Sequence, residues 1–268
     1  MKSADVVSRY LARLDLAEAP PITPKGLRAI HEAHLFSVPF ENLSINLKEK
    51  VPLTHRAFAE KIALSRRGGI CYELNGALYW LLKRLGFDVT LASSRVWVDG
   101  GLTHPGDHMV VLVNFDSRKG DVWIADVGFG AHAMKPLKLT KAGSQHDATG
   151  DYTVRPAGTG CHDVLRGDVP IYRIEPGIRS LTDFRAVYWW QQTSPDSRNT
   201  QRTMCSLPTA NGRVTISNNE LTRTKKDSRR VELMDDKATL SAYREYFGIE
   251  LDDVPRPRFP LLWSDARS

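Results

Sequence analysis

Only three cysteines occur in the 268 residues: Cys71, Cys161 and Cys205. An odd number at wide spacing argues against a disulfide framework and for a reducing compartment, the cytoplasm. Neither a CxxC nor a HExxH pair is present. His31-Glu32-Ala33-His34 places two histidines at i and i+3 without a third ligand, so no metal is expected and the pair is read as helix surface or core. No apolar run approaches the roughly 18 residues a membrane crossing needs, and the N-terminus lacks the apolar segment of a signal peptide. Basic residues outnumber acidic ones by 37 to 31, a net charge of +6. They are scattered apart from Arg223-Thr224-Lys225-Lys226 and Arg229-Arg230, with no basic patch interleaved with aromatics, which argues against a nucleic-acid partner. The modest positive field suits either a phosphorylated cofactor or a plain solvated surface.

Apolar content of 41% and charged content of 25% are ordinary for a soluble globular protein. The chain is long for one core and suits two or three subdomains. Residues 1–87 read as a helix bundle. Ser3 or Asp5 caps a first helix with Val6, Val7, Tyr10, Leu11 and Leu14 on one face. Thr23, followed by Pro24, opens a second helix that Pro39 ends. Thr54 opens a third, through Phe58, Ile62 and Leu64 to the Gly68-Gly69 turn. A fourth starts at Cys71 and carries Leu74, Leu78, Leu81, Leu82 and Leu85 at helical spacing. Residues 88–205 turn to short strands at 89–91, 95–98, 108–128 (a hairpin), 152–154 and 171–174, which predicts an antiparallel, barrel-like domain. The hairpin is apolar on both faces and should be central, whereas the polar stretch 140–151 reads as a loop. Residues 206–268 mix strands at 213–216 and 231–233 with a helix over 239–248. Their proline-rich end (Pro255, Pro257, Pro260) is expected to be extended or loose. The fold class is α+β.

The stretch from Arg66 to Asn75 (Arg-Arg-Gly-Gly-Ile-Cys-Tyr-Glu-Leu-Asn) carries the chemistry. Two glycines suggest a backbone turn that other residues resist. Cys71 then falls on the first turn of a buried helix, where free N–H groups and the dipole favour a thiolate. Arg66 and Arg67 add positive charge. Such a nucleophile needs a base, and the base needs an orienting group. A hairpin symmetric about Arg118 sets Val110 opposite Asp126 and leaves His108 one diagonal step away, about 7–8 Å between Cα atoms. A Cys71–His108–Asp126 relay follows, the imidazole taking the thiol proton and the carboxylate fixing its tautomer. Each piece also has an ordinary reading: an inert buried cysteine, a structural histidine, a turn aspartate. Tyr188, Trp189 and Trp190 suit a packed core or the lining of an acceptor pocket.

Four motifs resemble those of the arylamine N-acetyltransferases: Pro39-Phe40-Glu41-Asn42-Leu43, Arg67-Gly68-Gly69-Ile70-Cys71-Tyr72-Glu73-Leu74-Asn75, Asp126-Val127-Gly128-Phe129-Gly130 and Ser194-Pro195-Asp196-Ser197. They occur in that family's order. The resemblance implies a cysteine-protease-like catalytic core with an α/β lid over residues 206–268. It implies ping-pong transfer from acetyl-CoA, as co-substrate, to an arylamine or arylhydrazine through acetyl-Cys71. Cys71 would be the nucleophile, His108 the base and Asp126 the orienting acid. Gly128, Phe129 and Gly130 would line the acyl-CoA cleft, and Arg67 and Glu41 would brace the site through ion pairs. Three residues depart from the pattern: Ile70 where an aromatic is usual, Asp107 where Thr or Ser is common, and Asn199 in place of a phenylalanine that helps line the acceptor pocket.

Three other functions remain open at this stage. A papain- or transglutaminase-like hydrolase uses Cys, His and Asp or Asn in the same chain order. An amide synthase closing a macrolactam from a carrier-bound polyketide is compatible with Asn199. A binding module would keep Cys71 as an inert packing residue.

Overall fold

The computed structural model describes residues 3–99, 101–116, 118–225 and 228–260. Two of the N-terminal helices start where their caps predict, whereas the first already includes both Ser3 and Asp5. α1 (Ser3–Arg13) buries Val6, Tyr10 and Leu11. α2 (Pro24–Ser37) is capped by Thr23, whose side chain accepts from the Gly26 N–H at 3.1 Å. Two short elements follow, β1 (Phe40–Glu41) and α3 (Leu43–Asn46). α4 (His55–Ala63) is capped by Thr54. α5 (Cys71–Arg84) is enclosed on nearly every face, burying Tyr72, Leu74, Leu78, Leu81 and Leu82 among others. Each such side chain contributes about 1.5–3 kcal/mol, so the position of Cys71 is fixed by the packing of its whole helix.

The chain then forms one large antiparallel sheet. β2 (Asp88–Val98) is one unbroken strand where two short ones were expected. Its small polar centre, Ser93-Ser94, does not break it, because both neighbouring strands pair there: Ser94 lies opposite His108 on one side and Ile174 on the other. β3 (Gly101–Leu102) folds back on β2. β4 (His108–Asp116) and β5 (Asp121–Ala125) form the expected hairpin with Val111 opposite Ala125. That register places position 110 opposite 126, as symmetry about Arg118 requires, with an irregularity only near the turn.

β6 (Leu137–Lys138), β7 (Gln145–Asp147), β8 (Gly150–Pro156), β9 (His162–Arg166) and β10 (Val169–Ile174) complete the sheet, in the order β6-β5-β4-β2-β10-β9-β8-β7. The ends nearly meet. The Gln145 amide bridges them, accepting from the Lys138 N–H (2.8 Å) and donating to the Lys138 carbonyl (2.9 Å). Residues 145–147 are therefore a strand and not part of a loop. Their polar side chains replace missing backbone partners: Asp147 accepts from the N–H groups of Lys135 and Thr149 at 3.0 and 2.9 Å.

A 3₁₀ turn (Leu181–Phe184) leads into α6 (Arg185–Thr193) and α7 (Arg198–Gln201). Four strands follow, β11 (Met204–Thr209), β12 (Gly212–Ser217), β13 (Glu220–Lys225) and β14 (Ser228–Leu233), then α8 (Asp236–Phe247). Two of these strands were not anticipated, since β13 buries only Leu221 and so shows no apolar alternation. β1 joins this second sheet through Phe40 opposite Ser206 and Glu41 opposite Cys205. α8 ends at Gly248 in the left-handed region (φ 63°), and its Tyr243 and Phe247 pack with Leu43, Val214 and Ile216. The proline-rich end is irregular but tied down. Arg256 pairs with Asp236 (2.6 Å), the Arg258 guanidinium donates to the Gln192 carbonyl (2.5 Å), and the Phe259 N–H donates to the Thr200 carbonyl (3.0 Å).

Candidate active site

The glycines before Cys71 serve close approach and not a left-handed turn. Neither has positive φ; Arg66 does, at 53°. A Cβ on Gly68 would overlap the Pro39 carbonyl, and one on Gly69 would lie 2.6 Å from Glu73 Cβ. The Gly69 carbonyl accepts from the Glu41 N–H at 3.0 Å, which docks β1 against the start of α5. Arg67 turns away from the thiol. Its guanidinium reaches Glu41 (3.1 Å), Glu49 (3.1 Å) and Ser44 Oγ (3.2 Å). Lys61 pairs with Glu73 and, at 3.6 Å, with Glu41. Burial opposes ionisation of Glu41, yet Lys61 and Arg67 hold it down at about 2. The basic pair therefore braces the helix start and does not activate the cysteine directly.

The three relay candidates meet. His108, at the first position of β4, places Nε2 2.8 Å from Asp126 Oδ2, just past the end of β5. It lies close enough to the Cys71 thiol for each group to shift the other's ionisation. With Nε2 committed to Asp126, the nitrogen left for sulfur is Nδ1. The imidazole is held in place by Phe129 and Tyr172, each ring centroid 5.3 Å away. Burial opposes charge on His108, but the Asp126 carboxylate outweighs it and raises the imidazole to about 10. Burial likewise raises the Cys71 thiol. His108 pulls it down, while the Asp107 and Asp126 charges push it further up. The helix N-terminus alone predicted a thiolate. In the folded site His108 has to work against burial and two carboxylates to form one.

Asp126 is fixed from several sides. Its Oδ1 accepts from Asn75 Nδ2 (2.8 Å) and from the Gly128 N–H (3.0 Å). Asn75, one turn along from Cys71 on α5, also donates to the Met109 carbonyl (2.6 Å) and accepts from the Val127 N–H (2.9 Å). It thereby ties α5, β4 and the end of β5 together, the elements that carry Cys71, His108 and Asp126. His31 lies behind. Its Nδ1 sits 3.0 Å from the Met134 carbonyl and its Nε2 3.2 Å from the Asp126 N–H. Burial lowers His31, so the neutral ring donates through Nδ1 and accepts through Nε2. The sequence reading missed both roles; the burial-facing position of His31 on α2 was the available signal. Among the described residues no cluster of His, Cys, Asp and Glu could hold a metal.

Two clefts take residues from the stretch after Asp126, one Phe129 and the other Ala131 and His132. One, of about 490 Å³, is lined by Phe129, Asp107, Trp190, Asn199 and Arg202 among others; the carbonyl of its Asp107 lies 3.9 Å from Cys71 Sγ. His104 also lines it, against Trp190, and makes no bond to the thiol among the described residues. The neighbouring aromatics divide: Trp190 lines the cleft, Tyr188 packs on Tyr72 and Phe58, and Trp189 points to solvent. The second cleft, of about 750 Å³, is lined by His132, Arg166, Arg213 and Lys225 among others. Gly128 itself presses on Cys71. A Cβ there would lie 2.8 Å from Cys71 Cα and 2.7 Å from Asn75 Nδ2.

Fold and site together point to an acyltransferase. A sequence profile described as N-acetyltransferase matches residues 25–255. The arylamine N-acetyltransferase of Escherichia coli is 29% identical over 260 residues, covering 93% of this chain and 90% of that protein. The arylamine N-acetyltransferase / N-hydroxyarylamine O-acetyltransferase of Salmonella typhimurium is 29% identical over 257 residues, covering 91% and 89%. Among solved structures, an N-arylamine acetyltransferase of Mycobacterium smegmatis superposes with a TM-score of 0.84 at 29% identity, covering 95% of this chain and 98% of that one. An arylamine N-acetyltransferase of Bacillus cereus, described as having a Cys-His-Glu triad, gives 0.84 at 25% identity, covering 94% and 100%. The chain belongs to the arylamine N-acetyltransferase family and is an acyltransferase.

Proposed function

We propose that the protein transfers an acetyl group from acetyl-CoA to an arylamine or arylhydrazine by a ping-pong route through acetyl-Cys71, with His108 as base and Asp126 as orienting acid. The observation that carries this is one buried imidazole bonded to the Asp126 carboxylate at 2.8 Å and near enough to the Cys71 thiol to lower it. The reactive form is the Cys71 thiolate beside the His108 imidazolium. The thiolate attacks the thioester carbonyl. The Glu73 and Leu74 N–H groups already bond the Ile70 carbonyl (2.9 and 3.0 Å), which leaves those of Cys71 and Tyr72 for the developing oxyanion. Collapse expels the coenzyme A thiolate, which takes the His108 proton and departs as the thiol. His108, now neutral, accepts a proton from the incoming amine as its nitrogen attacks acetyl-Cys71. Collapse of that intermediate forms the amide and returns thiolate and imidazolium.

The Gly128-Phe129-Gly130 turn is the proposed wall between acyl group and cofactor. Arg166, Arg213 and Lys225 line the second cleft and make no ion pair among the described residues, which suits the phosphates of coenzyme A. The three cysteines are free, which fits a cytoplasmic location, and no described helix is long and apolar enough to cross a membrane. Cys71→Ser, nearly isosteric, should abolish turnover with acetyl-CoA and an arylamine while leaving the circular dichroism spectrum unchanged. Wild-type rates in that variant would remove Cys71 from the mechanism.

A further inference from the structure

Asp107 sits immediately before the base but takes no part in the relay. Its backbone carbonyl lies 3.9 Å from Cys71 Sγ, and the residue lines the 490 Å³ cleft. One carboxylate oxygen, Oδ1, accepts from Gln191 Nε2 at 2.7 Å. Gln191 cannot turn its amide round, because its Oε1 already accepts from Ser197 Oγ (2.8 Å) and Asn199 Nδ2 (2.7 Å). Ser197 is fully buried, and the Asn199 carbonyl is held by Asn42 Nδ2 at 3.1 Å. The carboxylate is thus anchored through amides to the protein interior. Among the described residues it makes no ion pair, and its Oδ2 makes no hydrogen bond. Arg198 and Arg202 line the same cleft but are exposed and do not pair with it. Its negative charge is felt at the sulfur, where it opposes the thiolate. A fixed anion that hinders the first half-reaction gains its use when a cation occupies the cleft. Trp190 and Phe129 supply aromatic walls for the rest of such a ligand.

We propose that Asp107, held by Gln191 and Asn199, is a specificity-determining residue that selects aromatic acceptor amines carrying a second, positively charged nitrogen. This rests on the acetyl-transfer reading above for its placement in the acceptor half-reaction. The test compares 4-aminobenzylamine, cationic at its benzylic nitrogen, with p-toluidine, its neutral counterpart of the same ring. Equilibrium binding of each is measured by calorimetry or saturation-transfer NMR, without acyl donor, to wild type and to Asp107→Asn, which keeps an oxygen for Gln191. Wild type should prefer the cationic ligand by about tenfold. That preference should fall to within about twofold in Asp107→Asn, and should shrink in wild type as salt rises from about 0.02 to 0.5 M. Gln191→Met, which releases the carboxylate without removing it, should keep part of the preference. A wild type that does not discriminate, or a preference that survives Asp107→Asn, would overturn the proposal. Because no acyl donor is present, a failure of acetyl-CoA to acylate Cys71 would sink the transfer reading alone and leave this result readable.

Discussion

Replacing Asp126 with asparagine tests how the site charges its cysteine. The carboxylate accepts on both oxygens: from His108 through Oδ2, and from Asn75 and the Gly128 N–H through Oδ1. An amide in its place must point its NH₂ at one of these donors, so one buried contact is lost in either orientation. The larger effect is electrostatic. His108 stands at about 10 against an ordinary value near 6.5. At 1.36 kcal/mol per pH unit, that net preference for the imidazolium is on the order of 5 kcal/mol, achieved although burial alone would lower the ring. In Asp126→Asn burial remains without its counterweight. His108 becomes neutral near pH 7, and the Cys71 thiol loses the cation that pulls it down. The loss of the Asp126 charge, which pushes the thiol up, is the smaller of the two changes. Iodoacetamide alkylation of Cys71, followed from pH 5 to 10, should therefore move to higher pH by about one unit or more, with the rate at pH 7 falling about tenfold or more. Thermal melts give a second readout. His108 is raised on folding, so its contribution is complete below about pH 6.5 and is lost as pH rises toward 10. Asp126 is lowered on folding, so its contribution is present above about pH 4 and is lost as pH falls further. The wild type should exceed the variant most between about pH 4 and 6.5, with the gap closing on the alkaline side. Superimposable alkylation profiles, with both proteins folded, would refute this reasoning.

Two further outcomes follow from packing and charge. Gly128→Ala pushes a methyl group into the Cys71 backbone and the Asn75 amide, and should slow coenzyme A release in an acylation burst by about 100-fold; an unimpaired burst would show that the turn yields without moving the nucleophile. Arg67→Met leaves Glu41, whose side chain is wholly enclosed, with Lys61 at 3.6 Å as its remaining cation, and should cost about 3–5 kcal/mol in urea unfolding. Glu32→Gln, in the exposed Arg28–Glu32 pair, should cost less than about 1 kcal/mol by the same assay.

Local chemistry was legible where one stretch of chain decides the outcome. Thr23 and Thr54 cap the helices assigned to them, and Gly248 stops α8 as its position suggests. The hairpin register followed from the apolar pattern and the turn, and it places His108 where it can reach Asp126. The motif resemblance named the family. What stayed illegible depends on residues far apart in the chain. Gly68 looked like a turn residue because the Pro39 carbonyl that excludes its side chain lies 29 positions earlier. Local residues alone made Arg67 look like a neighbour of the thiol; the motif resemblance pointed to its ion pairing with Glu41, and Glu49 came only with the fold. Polar content made 140–151 read as loop, yet Gln145 and Asp147 use that polarity to close a sheet. Asp107 and Asn199 each depart from the family's pattern, and only the fold shows that they share one partner, Gln191.

The central claim is an acyl group carried on Cys71. Intact-mass spectrometry after brief incubation with acetyl-CoA and no acceptor tests it most directly. A gain of one acetyl group is expected, mapped to Cys71, absent in Cys71→Ser and discharged on adding an arylamine or hydrazine. A Cys71 that remains unmodified by acetyl-CoA while still alkylated by iodoacetamide would contradict it.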